Sequence, residues 1–270
     1  MVTILFALAL MLYISAWGTF AASFAGGSAV APRTGAALIG GGMAVHAVAL
    51  AAFTAEHAEL PLVGLAPSLS TLAFLIALLF ATMLTRESRP VGIILVPLVA
   101  ILLAIALLVG IAPSGQPLAF SGAWFSLHVV LAFIGYAGLT VTFAASLLYL
   151  LQFRELKGKR LGRVFRFFPS LPAIDTLGRR GIAIGFPALT AALLLGWAWT
   201  VRFRSTLAPA DPQVIWGVLT WLTFAVLLAW RHSKVPNRER GAAVASVIGY
   251  VFVVASYIVL RLFVADESFL

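Results

Sequence analysis

Four histidines are the imidazoles of this 270-residue chain, and it has no cysteine. That inventory excludes disulfides, thiolate metal sites and cysteine nucleophiles. His46 and His128 lie inside long apolar runs, His57 lies in a polar stretch, and His232 closes another run. Ionisable groups in hydrocarbon are expensive, so His46 and His128 are candidates for function by default. Gly42 precedes His46 by one helical turn, with Gly35 further along that face, while Ala132 and Gly135 continue the face of His128. Bare backbone beside an imidazole leaves room for a planar macrocycle, and two imidazoles at one depth could clamp haem iron axially. Alternatively, each imidazole hydrogen-bonds a neighbouring helix. His57 with Glu56 and Glu59 could hold a metal, although three polar residues in a loop are a weak pattern.

The elements that position these residues follow from the solvent they meet. Hydrophobic residues make up 62% of the chain and charged ones 10%, with a mean hydropathy of +1.08. Soluble domains carry about 25% charged residues, so the solvent is a bilayer. A crossing helix needs roughly 20 apolar residues. The stretches that qualify are Val2–Phe24, Gly35–Phe53, Pro67–Thr85, Val91–Ala112, Ala123–Phe153, Gly181–Val201, Gln213–Trp230 and Gly241–Val264. The first lacks a basic n-region and is too long for a cleavable signal peptide. The predicted fold is all-α, a polytopic bundle of about eight transmembrane helices forming one integral-membrane domain over residues 1–270. In it, His46 lies roughly 10 Å and His128 roughly 8 Å from the outer ends of their helices, at 1.5 Å per residue.

Small residues allow helices to approach closely in lipid. Gly18, Ala22 and Gly26 offer such a stripe on the first helix, Ala36, Gly40 and Ala44 on the second, and Gly138, Thr142 and Ser146 on the fifth. Trp216 and Trp230 read as interfacial belts and Trp221 as packing. No internal repeat supports an inverted-repeat transporter. No nucleophile–base pair or phosphate loop stands out, so the expectation is not an enzyme.

The formal charge of +9 is distributed by topology. Assigning loops to alternate sides puts most of the 18 Lys and Arg on one side, which positive-inside bias makes cytoplasmic. Both termini then lie outside the cytoplasm, and no nucleic-acid partner is expected. The largest polar connection, Arg154–Arg180, interleaves basic residues with Phe165, Phe167, Phe168 and Leu171. It reads either as a docking surface for a cytoplasmic partner or as an interfacial segment on the lipid bilayer. On the outer side, Arg202 and Arg204 could pair with haem propionates or snorkel to headgroups. Asp211–Pro212 suits a helix cap at the start of the seventh helix.

The run LHVVLAFIGYAGLTVTFAASLLYLLQFRELK, Leu127 to Lys157, resembles the cytochrome c assembly family, the CcsA-like group of haem-handling membrane proteins. In that family an outer histidine opens a Tyr-containing span that ends in Leu-Tyr-Leu and a basic loop. The likeness continues through PSLPAIDTLGRR (Pro169–Arg180), Gly185–Phe186, GWAW (Gly196–Trp199), DPQVIWGVLTW (Asp211–Trp221) and Gly249–Tyr250. It covers about residues 120–264, and eight spans match the YpjD and HemX-like branch. The resemblance implies a bacterial cytoplasmic (inner) membrane protein that binds haem b and works with a membrane or cytochrome-assembly partner. His128 is the histidine it carries over, with His46 the second candidate for the iron.

Departures from the family pattern change that expectation. Haem-delivering members carry a tryptophan-rich loop, WGxxWxWDP, where this chain has RSTLAPADP, Arg204–Pro212. A second outer histidine aligns with Ser268 and a third with Ala229. The resemblance therefore implies haem binding or assembly without the full haem-lyase apparatus. The competing expectation is a non-haem assembly or regulatory factor that binds its partner through Arg154–Arg180; a small-solute transporter is a third.

Overall fold

In lipid the backbone polar groups have to be satisfied within the protein, and a helix does this inside each segment. The computed structural model describes residues 1–26, 31–85, 89–113, 122–159, 162, 167–203, 212–232 and 238–263. Its helices are α1 (Val2–Gly26), α2 (Ala31–His57), α3 (Leu65–Thr82), α4 (Gly92–Val109), α5 (Ala123–Lys157), α6 (Leu171–Phe203), α7 (Pro212–His232) and α8 (Arg238–Phe263). All eight are long and apolar enough to cross a membrane, and the described residues contain no strand. The all-α polytopic bundle expected from composition is the fold.

Helix α5 is the axis of the bundle, packing on α3, α6 and α8. It owes that place to small residues: Gly135, Ala137, Gly138, Ala144, Ala145 and Ser146 are all buried along it. One core fills the space between α1–α4 and one side of α5, around Phe6, Tyr13, Phe20, Phe53 and Phe80. A smaller core joins the other side of α5 to α6, α7 and α8, around Leu139, Ile182, Leu189, Phe224 and Val253. Large apolar side chains such as Leu108, Ile248 and Leu194 face outward, where a bilayer supplies the apolar contact.

Two of the three expected small-residue stripes lie off the seams. Gly18, Ala22 and Gly26 on α1 are exposed, as are Gly40 and Ala44 on α2. The real α1 seam is Val2, Phe6, Ala9, Tyr13, Ala16, Phe20 and Ser23, in alternating steps of four and three. It meets Gly35, Ile39, Gly42, His46, Ala49 and Phe53 of α2, spaced the same way. Aromatics of α1 sit on the glycines of α2: a Cβ on Gly42 would lie 3.0 Å from the Tyr13 ring, and one on Gly35 2.9 Å from Phe20. The third stripe, on α5, is a seam as expected.

The basic connection is shorter than its sequence suggested. Arg154 and Lys157 belong to α5, and α6 begins at Leu171, ten residues before the expected Gly181. Of the charges that made this turn look like loop, the acidic one is paired inside the bundle. Asp175 is buried and pairs with Arg231 of α7 at 2.7 Å and with Arg179 at 3.3 Å. Phe165 falls outside the described residues. Phe167 and Phe168 do not turn to the headgroups; they pack on Phe24 of α1, with ring centroids 5.2 and 6.0 Å away.

Candidate functional site

The closest helix pair in the bundle carries the stronger candidate. A Cβ on Gly138 of α5 would lie 2.6 Å from the Gly181 carbonyl oxygen and 2.7 Å from the Gly185 Cα. The two backbones touch, so each of these glycines is required by close approach. Thr142 Oγ1 adds a hydrogen bond to the Gly178 carbonyl at 3.1 Å. Further along the same seam, half-buried His128 has its Nδ1 2.7 Å from the Ala192 carbonyl oxygen. A carbonyl only accepts, so Nδ1 carries the hydrogen and Nε2 keeps its lone pair. Gly196, one turn on, accommodates the imidazole: a Cβ there would lie 2.8 Å from Cε1. Trp124, one turn before His128 on α5, donates its indole N–H to the Leu195 carbonyl at 3.1 Å.

A backbone carbonyl behind Nδ1 is the usual second partner of a metal-ligating histidine, fixing its tautomer and orientation. The donor set of His128 therefore fits an iron ligand through Nε2. The bare backbone on this face, however, is not left for a macrocycle. Gly135 is covered by Leu189, whose Cβ would lie 2.9 Å from a Cβ there. Gly196 is covered as well, by the imidazole itself, and Trp124, one turn away on α5, is the exposed aromatic ring of this end of the seam.

His46 sits in a different setting. Its ring is fully buried and lies edge-on to Phe6, Tyr13 and Phe74 at 5.5–5.9 Å. Nδ1 is 3.4 Å from the Tyr13 hydroxyl and Nε2 3.0 Å from the Ser70 hydroxyl. A neutral imidazole has one donor and one acceptor nitrogen, and here each faces a hydroxyl. The partners of the two rings differ, Tyr13 and Ser70 for His46 and Ala192 for His128, so the structure does not bring them together as a clamp. The helix ends also moved: His46 is eleven residues from the end of α2, about 16 Å at 1.5 Å per residue, twice the depth of His128. The hydrogen-bonding alternative describes His46, and Gly42 beside it receives Tyr13.

Arg202 lies in the last turn of α6, the helix whose Ala192 carbonyl bonds His128; Arg204 and Asp211 lie outside the described residues. His57 stacks edge-on against Phe53 at 4.7 Å, and no group of three metal-ligand side chains gathers among the described residues. Trp221 packs as expected, bonded to Thr190 at 2.9 Å. Trp216 is not an interfacial belt: its indole bonds the Val253 carbonyl at 3.1 Å and lies on Tyr136 and Tyr257. Sequence reasoning missed the α6 side of the site. The glycine spacing Gly178, Gly181, Gly185 was the available signal, since three- and four-residue steps put all of them on one helix face. Nothing in the sequence marked Ala192, which acts through its backbone.

The sequence profile of the family described as cytochrome C assembly protein matches residues 43–265, which include His46, His128 and the whole α5–α6 seam. The "Cytochrome c biogenesis protein CcsA" of Chlamydomonas reinhardtii is 32% identical over 140 residues, covering 52% of this chain and 38% of the relative. That of Synechococcus sp. (strain JA-3-3Ab) is 28% identical over 277 residues, covering 81% of this chain and 80% of the relative. An uncharacterized 28.8 kDa protein of Azospirillum brasilense is 30% identical over 187 residues, with 67% of each chain covered. The chain spans about half or less of the length of several CcsA relatives, 38% to 52%. No solved structure matches it. With the profile matching most of the sequence, and the described part of that span folded as membrane-length helices around one seam, the chain belongs to the cytochrome c assembly protein family.

Proposed function

We propose that this chain holds haem b with His128 as its protein ligand and serves cytochrome or haem-related assembly. On this reading it sits in a bacterial cytoplasmic membrane, within the HemX- and YpjD-like branch of the family. The observation that carries the reading is the Nδ1–H bond of half-buried His128 to the Ala192 carbonyl, which leaves the Nε2 lone pair for a metal. Bound haem would supply an iron centre for the imidazole nitrogen to hold. The Ala192 carbonyl orients the ring, Gly196 leaves it room, and Arg202 with Arg204 supplies cations for the propionates. His46, with both nitrogens facing hydroxyls, serves the fold of the α1–α3 cluster. The role is binding and assembly, not catalysis, because the family's loop tryptophans and further histidines have no counterpart in the sequence.

Absorption spectroscopy of the purified protein tests this. A Soret band is expected that weakens in His128→Ala. Haem-free protein from haem-replete cells, with no uptake on addition, overturns it.

A second reading rests on the basic end of the bundle. Arg154, Lys157, Lys159, Arg179, Arg180, Arg238 and Arg240 are exposed there, while Phe167 and Phe168 are turned inward. That rim offers charge rather than an apolar anchor, which suits an acidic membrane-bound or cytoplasmic partner. On this reading, reversing the Arg154, Lys157 and Lys159 charges abolishes co-purification of a partner and His128→Ala does not.

A further inference from the structure

We infer that Trp124 is a stacking wall of the His128 site, so that the site takes a planar tetrapyrrole by aromatic contact as well as by ligation, metal-free porphyrin included. This rests on the His128 reading above. Tryptophans near the ends of transmembrane helices ordinarily sit in the headgroup layer with their N–H toward water. The N–H of Trp124 points the other way, to the Leu195 carbonyl of α6 at 3.1 Å. His128 makes its own bond to α6 three residues earlier, at Ala192. Indole and imidazole are four residues apart on α5, hence on one face, about 6 Å apart along the axis. Each is fixed to the same partner helix by one ring nitrogen.

The consequence is geometric. Trp124 is 49% exposed although its N–H is satisfied, so what it leaves open is carbon of the ring face and edge. A flat ligand centred on Nε2 of His128 extends over the neighbouring turn of α5, where that indole stands. Aromatic rings favour offset stacking, and an indole already held by a hydrogen bond loses little freedom when it is covered. Ligation alone would select a metal; an indole beside the imidazole selects the macrocycle.

The test uses the full-length protein in detergent micelles, titrated separately with haemin and with metal-free protoporphyrin IX. Wild type is expected to bind both. Trp124→Ala weakens both by about three- to tenfold, the range of an aromatic pair. Trp124→Phe, which keeps a ring, stays closer to wild type than Trp124→Ala. His128→Ala loses the axial-ligand signature of haemin and keeps its affinity for protoporphyrin IX. Trp17→Ala, which removes another exposed indole on α1, leaves both ligands unchanged and controls for micelle partitioning. If Trp124→Ala does not purify with a cooperative thermal transition, Trp124→Leu is read in its place. Wild-type protoporphyrin affinity in the folded Trp124 variant overturns the inference, as does a wild type that binds haemin but not protoporphyrin IX. Failure of the His128 reading shows separately, as an unchanged haemin spectrum in His128→Ala.

Discussion

His128 and Ala192 are joined across the tightest seam of the bundle, imidazole Nδ1 to carbonyl oxygen at 2.7 Å, with Gly196 one turn beyond. The bond forms because α5 and α6 meet backbone to backbone at Gly138, Gly181 and Gly185. Gly196→Ala puts a methyl group 2.8 Å from the imidazole Cε1, so the ring has to swing off the carbonyl. The expected result is a lower haem-to-protein ratio with the thermal transition kept, since Ala raises helix propensity by about 1 kcal/mol. Haem content and unfolding temperature, measured on one preparation, check it.

His46→Ala separates the two histidines. It removes a fully buried ring bounded by Phe6, Tyr13 and Phe74, and a cavity of that kind costs about 2–4 kcal/mol. Thermal unfolding in micelles is expected to show that loss while the Soret band per folded protein stays as in wild type. A Soret band that disappears from folded His46→Ala would restore the two-histidine clamp.

Asp175 and Arg231 form an ion pair with side chains 7% and 9% exposed. Asp175→Leu leaves the Arg231 guanidinium buried without its counter-charge, which costs about 3–5 kcal/mol. The double variant Asp175→Leu with Arg231→Met is expected to regain most of that stability. Chemical unfolding of the two single variants and the double gives the coupling directly; additive losses would mean that the pair is not coupled.

The orientation of the bundle is open to labelling because the chain has no cysteine of its own. Leu60, between α2 and α3, and Lys159, after α5, are both exposed. With both termini outside the cytoplasm, Leu60→Cys in intact cells reacts with a membrane-impermeant maleimide and Lys159→Cys reacts only after lysis. The reverse pattern inverts the topology.

The site was legible in the sequence on the α5 side and not on the α6 side. His128 stood out as an imidazole in hydrocarbon, and Gly138, Thr142 and Ser146 as a small face. Ala192 contributes a backbone carbonyl, which every residue has, so no residue type could announce it. His46 was equally visible as a type. What tells it from His128 is the Tyr13 and Ser70 hydroxyls, 33 and 24 residues away in sequence.

Composition and apolar run length by themselves determined the solvent, the all-α class and the number of spans, because a bilayer forces every apolar run of sufficient length into a self-satisfied helix. Motif runs carried the family. Tertiary structure decided which faces meet. A small residue permits close approach without naming its partner, so Gly18 and Gly40 were left to the surface while Gly35 and Gly42 received Phe20 and Tyr13. It also decided the partners of each imidazole, hydroxyls at both nitrogens of His46 and a backbone carbonyl at Nδ1 of His128, since those depend on what faces each ring nitrogen across the helix seam.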